Sequence, residues 1–374
     1  MEASEEDIVR MGAALGGVSD PRRKWGALRH KLPDILAIGL CSIAAGGKGF
    51  NAMEDFGRAR EGWLRGFLEL PNGIPDADTF RRMFERVNPA RLLECLQQWL
   101  SQSGEPGGRE VNIDGKEARG CGVRMVSAWV NSRGLTLGQV AAGERSNEIT
   151  AIPQLLDMID VKGDTVTIDA MGCQTEIAAK IRARGAHYVL AVKGNQPSLC
   201  EGIREYFLHL DEGKAPRLPG DAWESGLEKD HGRIERRSVR TSRDVGFLGK
   251  KWKDLKTIVE FRGERSVRNG DAWETAVTER YYISDLDCPA EEFCRIIRGH
   301  WSVENNLHWM LDVNFGEDGC QARKDNSPQN LTVLRKIALG LLRAAEAGKR
   351  VGVARKMFIA GLDTAFLQRV IFGK

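Results

Sequence analysis

The chain has 374 residues, with 55 Lys and Arg against 52 Asp and Glu for a net charge of +3, and is 42% hydrophobic and 29% charged. That balance excludes a mainly disordered chain, and the length leaves room for about two to three domains whose cores need no disulfide or metal staple. So small a net charge names no polyanionic partner; only its distribution along the chain could do so.

Residues 1–20 open acidic and Gly-containing, with no apolar stretch of the secretory kind, and are expected to be a poorly ordered lead. From 21 to 104 the pattern is helical, with segments at 32–45, 51–68, 76–87 and 89–102. The stretch 35–47 is free of charge but too short for the ~20 residues of a membrane span, so it reads as a buried helix. Asn88-Pro89 is an N-cap followed by a first helical residue, and the run from Ser103 to Gly108 is a linker.

Beyond the linker the period changes. Strands are predicted at 110–114, 125–131 and 135–141, the last two joined as a hairpin by Ser132-Arg133-Gly134. A helix at 147–159, a strand at 165–170, a helix at 175–184 and a strand at 187–192 follow. The order β-β-β-α-β-α-β is that of the ribonuclease-H-like fold, a mixed sheet with helices on both faces whose first and fourth strands are neighbours. The expected organisation is therefore a lead at 1–20, a helical domain at 21–104, a first part of the ribonuclease-H-like core at 109–197, a β-rich basic insertion at 198–285, and the rest of the core with the last helices at 286–374. Within the insertion, strands are read at 234–241, 257–261 and 274–284. A long helix is predicted at 289–313, then helices at 329–346 and 354–360. Eight cysteines without a CxxC pair and six histidines without zinc-ligand spacing predict reduced thiols and no structural zinc.

Two carboxylates stand out. Asp114 closes the first core strand and Asp169 the fourth, so a parallel pairing of those strands would bring both acids to one end of the sheet. Two acids held close repel unless cations lie between them, and hard divalent ions such as Mg²⁺ suit them. On the helix 289–313, Phe293, Ile297, His300, Glu304, Leu307 and Leu311 return to within about 50° of one line, which sets Glu304 in an apolar stripe where an unpaired carboxylate is costly. An Asp at a strand end is ordinarily a turn former, and Glu304 alone could pair with Arg298 or His300; the joint placement points to a site. Trp301 and Trp309, flanking Glu304, read as core packing. Glu317 and Asp318 read as a cap or salt-bridge pair.

Nine Lys and Arg against three Asp and Glu between 231 and 256 give a local charge of +6, with Arg233, Arg236, Arg237 and Arg240 at its centre. Such a patch suits a DNA backbone as well as it suits a solvated strand face. Lys193, just past the last core strand, would lie near the carboxylates, as a phosphate contact or an ion-pair partner.

The order of several motifs resembles DDE-type bacterial insertion-sequence transposases, in the subgroup of the H-repeat-associated proteins linked to Rhs elements. The matching text includes DPRRKWGALRHKL at 20–32, GIPDADTFRRMFERVNP at 73–89, IDGKEARG at 113–120, RSNEITAIPQLL at 145–156, TIDAMGCQTEIAAKI at 167–181, YVLAVKGNQPSL at 188–199, HGRIERR at 231–237 and RGHWSVENNLHWMLDVNFGED at 298–318. The resemblance implies that Asp114, Asp169 and Glu304 form the catalytic triad and hold two Mg²⁺ ions, with Mn²⁺ able to substitute. The acids are 55 and 135 residues apart, the second interval carrying the β-rich insertion. It further implies a DNA transposase that binds its terminal inverted repeats, cleaves and transfers strands of double-stranded DNA at transposon ends and target, works as a homo-oligomer on DNA in the bacterial cytoplasm at the nucleoid, and engages no membrane. An inactive element-derived DNA-binding protein and a ribonuclease-H-like DNA nuclease without strand transfer are the alternatives.

The chain departs from the wider superfamily where Tyr, Arg and Lys surround the glutamate. Ile297, His300 and Leu311 stand at those places, so of the three only His300 could contact phosphate. The helical domain, with Arg22, Arg23, Lys24, Arg29, Lys31, Arg81, Arg82 and Arg86, is expected to bind the terminal repeats in helix-turn-helix fashion.

Overall fold

The computed structural model describes residues 5–22, 28–100, 107–143, 148–213, 221–230, 232–269, 272–348 and 351–373. Six helices come first: α1 (Glu5–Gly16), α2 (Leu32–Ala44), α3 (Phe50–Ala59), α4 (Glu61–Leu64), α5 (Ala77–Arg86) and α6 (Pro89–Leu100). Strands β1 (Glu110–Ala118), β2 (Val123–Val130) and β3 (Leu135–Ala142) follow, then α7 (Glu148–Met158), β4 (Thr165–Ile168), α8 (Thr175–Ala183), β5 (His187–Val192) and α9 (Pro197–Asp211). Next come β6 (Ala222–Glu224), β7 (Glu228–Asp230), β8 (Arg233–Ser242), β9 (Thr257–Asn269) and β10 (Ala272–Ser284). The chain closes with α10 (Ala290–Val303), α11 (Trp309–Val313), α12 (Ser327–Ala344), α13 (Val353–Leu362) and α14 (Thr364–Phe372).

These elements fall into two compact units. The first gathers the described residues of Met1–Glu105, Gly115–Arg145 and Glu304–Lys374, and the second those of Pro106–Asp114 and Ser146–Val303.

In the first unit α2 is buried along almost its whole length and packs against α12, which also meets α5, α6 and β3. Local chemistry starts the helices: the Asp76 carboxylate accepts the Thr79 amide at 2.7 Å, and Asn88 Oδ1 accepts the amides of Ala90 and Arg91 at 3.0 and 3.2 Å. The β2–β3 hairpin turns through Asn131–Arg133 into Gly134, whose φ of 61° only glycine adopts freely.

In the second unit the first half of β1 pairs in parallel with β4, and β4 with β5, in the registers Ile113↔Ile168 and Ile168↔Leu190. The strands of the basic region do not form a separate body. β10 joins β5 antiparallel, and β9, β8 and β6 continue the same sheet, with β7 on β8. Val189 and Ala191 of β5, Val239 of β8, and Val259 and Phe261 of β9 alternate along their strands, so one face of the sheet presents an apolar row. Phe293, Cys294, Ile296 and Ile297 of α10 fill it. The mixed sheet, with its parallel first, fourth and fifth strands and flanking helices, is ribonuclease-H-like, as the element order predicts.

Four differences from the sequence-based expectation are physical. Residues 5–16 are a helix, because Met11 and Leu15 lie on one side and bury against the bundle. The expected helix 51–68 breaks at Arg60, which leaves the helical region with φ −119° and ψ 16°. α9 lies inside the region read as strand-rich; its Leu199, Ile203, Tyr206 and Phe207 are buried at helical spacing. The expected helix 289–313 is interrupted by a π-helical turn, Glu304–His308. Of the linker at 103–108, residues 103–106 lie outside the described residues, as do Arg23 and Lys24.

Candidate metal centre

The β1–β4 register decides the position of the first two acids. β1 continues to Ala118, so Asp114 lies within the strand and does not close it, contrary to the sequence-based expectation, whereas Asp169 does follow the end of β4. Each still comes directly after the last residue of the β1–β4 pairing, Ile113 and Ile168, so the two acids stand at the same level of adjacent parallel strands. Asp169 turns the chain into a short 3-10 segment by accepting the Ala170 amide, and its Oδ1 also accepts Lys193 Nζ at 3.2 Å. Partial burial pushes the Asp169 carboxyl up, but the Ala170 amide, Lys193 and the nearby His300 together outweigh it and hold the group below its ordinary value.

The same end of the sheet holds α10. The Thr167 hydroxyl, two residues before Asp169, donates to Asn112 Oδ1 at 2.8 Å, and its oxygen lies 2.9 Å from His300 Nδ1. Since the single hydroxyl proton goes to Asn112, His300 Nδ1 is the donor in the second bond. The last turn of α10 is thereby pinned to β4 by a buried hydrogen-bond chain, and Glu304 follows Val303 directly.

Glu304 opens the π turn, and its side chain is 75% exposed. This corrects its expected place in the apolar stripe: the wider turn slips the helix face, so Leu307 and Leu311 stay buried while Glu304 turns outward. His308 Nδ1 lies 3.2 Å from Glu304 Oε2, and burial lowers this imidazole's pKa although Glu304 opposes the shift. Asn306 Nδ2 donates to Asn131 Oδ1 at 2.8 Å, and the Arg343 guanidinium donates to the Asn306 carbonyl, so the middle residue of the turn is held through both its side chain and its backbone.

Around this turn the first unit buries a charged network. Lys116 contacts Asp312 at 2.7 Å, Asp318 at 3.3 Å and Glu317 at 3.8 Å. Buried Glu317 accepts the Thr332 hydroxyl at 2.8 Å and lies 3.7 Å from buried Arg335. Lys336, fully enclosed, donates to Ser127 Oγ and, at 3.0 Å, to Gln139 Oε1, and burial brings its ammonium down to about 8. Sequence reasoning assigned Glu317 and Asp318 a salt-bridge role but missed Lys116, His308, Arg335 and Lys336. Lys116 sits two residues past Asp114 in the quoted IDGKEARG segment, and His308 four past Glu304, the spacing that pairs side chains across a turn.

The tryptophans divide. Trp301 packs edge-on against Phe261 at 4.9 Å and carries the Arg280 guanidinium 3.8 Å above its ring. Trp309, expected as core, is 52% exposed, because it lies past the π turn.

The basic segment is internally paired. Arg233 meets Glu235 at 2.9 Å, Arg236 meets Glu224, Arg237 meets Glu228 at 2.8 Å and also Glu235, and Arg240 bridges Glu260 and Asp211. Apart from Glu235, the acids that pair with this segment lie outside it, on α9, β6, β7 and β9.

The donor chemistry fits a hard divalent cation. Asp114 and Asp169 offer carboxylate oxygens from adjacent strands, and Glu304 offers an exposed carboxylate whose companion, His308, is a nitrogen donor.

Residues 85–341 match the family model of the transposase DDE domain, and residues 13–100 match that of the segment associated with it. The chain belongs to the DDE transposase family. It is 37% identical to an H repeat-associated candidate transposase, YhhI, of Escherichia coli (strain K12), over 98% of this chain and 99% of that protein. It is likewise 37% identical to a candidate transposase, YncI, of Escherichia coli O157:H7, over 93% of this chain and 91% of that protein. Among the described residues no helix is long and apolar enough to cross a membrane.

Proposed function

We propose that this transposase-family chain binds the terminal inverted repeats of an insertion sequence and catalyses metal-dependent phosphodiester cleavage and strand transfer, with Asp114, Asp169 and Glu304 as its catalytic carboxylates. The observation that carries the reading is the β1–β4 register, which sets two acids 55 residues apart in sequence directly past the last paired residues of adjacent strands. Two bound Mg²⁺ or Mn²⁺ ions would supply activation of a water or 3′-hydroxyl nucleophile and stabilisation of the leaving 3′ oxygen.

The protein's own part is placement. Asp114 and Asp169 present oxygens from a rigid sheet, and His300 fixes the helix end from which Glu304 departs. His308 orients the Glu304 carboxylate. Lys193, paired with Asp169, would move to a DNA phosphate once that carboxylate takes another partner. In this reading Arg233, Arg236, Arg237 and Arg240 would exchange their carboxylate partners for backbone phosphates, with His300 a further phosphate contact. Handling two ends together calls for a homo-oligomer on double-stranded DNA, in the bacterial cytoplasm. The helical segment 21–104 is the proposed reader of the repeats.

Asp114→Asn and Glu304→Ala should each abolish Mg²⁺-dependent nicking of an end-bearing DNA fragment while leaving its gel-shift affinity unchanged. Nicking that survives either substitution would remove the proposed site. Excision and joining of a marked element in cells would separate strand transfer from nicking alone.

A further inference from the structure

A cavity of about 590 Å³ opens in the first unit, between the start of α3 and the segment leading into α12. Its wall carries Lys48, Arg81, Arg323 and Lys324 against one carboxylate, Glu85, a surplus of three positive charges in a chain whose total is +3. Lys324 Nζ is spoken for by Glu85 at 2.9 Å, and Arg81 pairs with exposed Asp78 at 2.7 Å. Among the described residues Arg323 donates to neutral oxygens, those of Gly120 and Gln321. Lys48 has no carboxylate within ion-pair distance among the described residues.

The backbone adds to this. α3 begins at Gly49, which offers no side-chain cap, and Gly49, Phe50, Asn51 and Ala52 all line the cavity, so the unbonded amides of the first turn lie in its wall. Helix starts of this kind favour anions. Independently, Ser327 in the same wall is 1% exposed, and its hydroxyl has no hydrogen-bond partner among the described residues. A buried hydroxyl left unsatisfied is costly, and a ligand oxygen would satisfy it. Phe50 and Leu331 supply apolar surface beside these groups, and the volume falls within the range of small-ligand pockets.

We propose that this cavity binds a phosphate-bearing ligand of nucleotide size. Its phosphate meets Lys48, Arg323 and the first amides of α3, and its apolar part lies against Phe50. The ligand is either a free nucleotide or one nucleotide of a DNA strand. The inference is independent of the carboxylate site, because its readout is binding and no cleavage is involved.

The test is calorimetric titration of the full chain with deoxyadenosine 5′-monophosphate and with pyrophosphate, repeated on Lys48→Gln, Arg323→Gln and, as a control for charge loss elsewhere on α3, Arg58→Gln. The expected result is one site with a Kd of ~1 mM or tighter, weakened about tenfold by each of the first two substitutions, the loss of one charge-assisted hydrogen bond, and unmoved by the third. Unchanged thermal midpoints would show that the variants are folded. Absence of binding, or equal binding across all variants, would overturn the proposal. Competition by a single-stranded 12-mer that displaces the mononucleotide assigns the site to a DNA strand; retention of the mononucleotide assigns it to a free nucleotide.

Discussion

Lys193 and the Ala170 amide show how close contacts outweigh burial in setting the behaviour of the Asp169 carboxyl. The Asp169 pKa lies below its ordinary value because the Ala170 amide and Lys193 favour the anion more than burial disfavours it. A carboxyl lowered on folding contributes stability that is complete above the unfolded pKa of ~4 and is lost as pH falls through the folded value. Lys193→Met should therefore raise the Asp169 midpoint in a carboxyl-detected NMR titration and reduce the acid-side stability gained on ionisation. An unmoved midpoint would mean that the 3.2 Å contact carries no weight in solution. Asp114 and Asp169 were both legible as candidates from the apolar runs they follow, although only Asp169 lies at a strand end, since β1 continues through Asp114 to Ala118. The role of Lys193 as partner was one of two open readings, because sequence gives no distance between a loop and a strand end.

At the scale of elements, the π turn is the feature that periodicity could not reveal. Residues 293–311 keep an apolar spacing that an ordinary helix would satisfy, yet Arg343 and Asn131 hold the polar groups of an added residue in place. Deleting Asn305 should restore a regular helix and rotate Glu304 relative to α10. The expected outcome is retained DNA binding with nicking reduced at least ~100-fold, the cost of misplacing a reacting group by about 1 Å. Wild-type nicking would show the turn to be dispensable. α10 itself is anchored by Phe293, which is fully buried against the sheet. Phe293→Ala should cost ~3–5 kcal/mol in chemical denaturation, through lost transfer energy and the cavity left behind. α9 escaped the sequence reading because its basic neighbourhood and flanking strands dominated the pattern, although its apolar residues keep a helical period.

For the whole molecule, charge is managed by burial and pairing more than by net balance. Lys116 gathers Asp312, Glu317 and Asp318, and its removal strands an enclosed Glu317 beside its remaining partners. Lys116→Met should destabilise the chain by ~2–3 kcal/mol in urea unfolding, below the cost of an uncompensated buried charge because Arg335 and Thr332 still hold Glu317. A change under about 1 kcal/mol would mark the network as solvated. The +6 of residues 231–256 was plain in the sequence, but the acids of α9, β6, β7 and β9 that answer it come together with it only in the folded sheet.

The residue order by itself determined the β-β-β-α-β-α-β succession of the core and singled out the two aspartates, because strand period, helix period and capping chemistry are local. It also carried the family, through motifs whose spacing survives in one dimension. Tertiary structure decided the rest: that β1 and β4 lie in the register that aligns the aspartates, that β6 to β10 extend the core sheet, and that Glu304 faces outward from a π turn. Each depends on contacts between groups tens to hundreds of residues apart, whose energies no local pattern encodes.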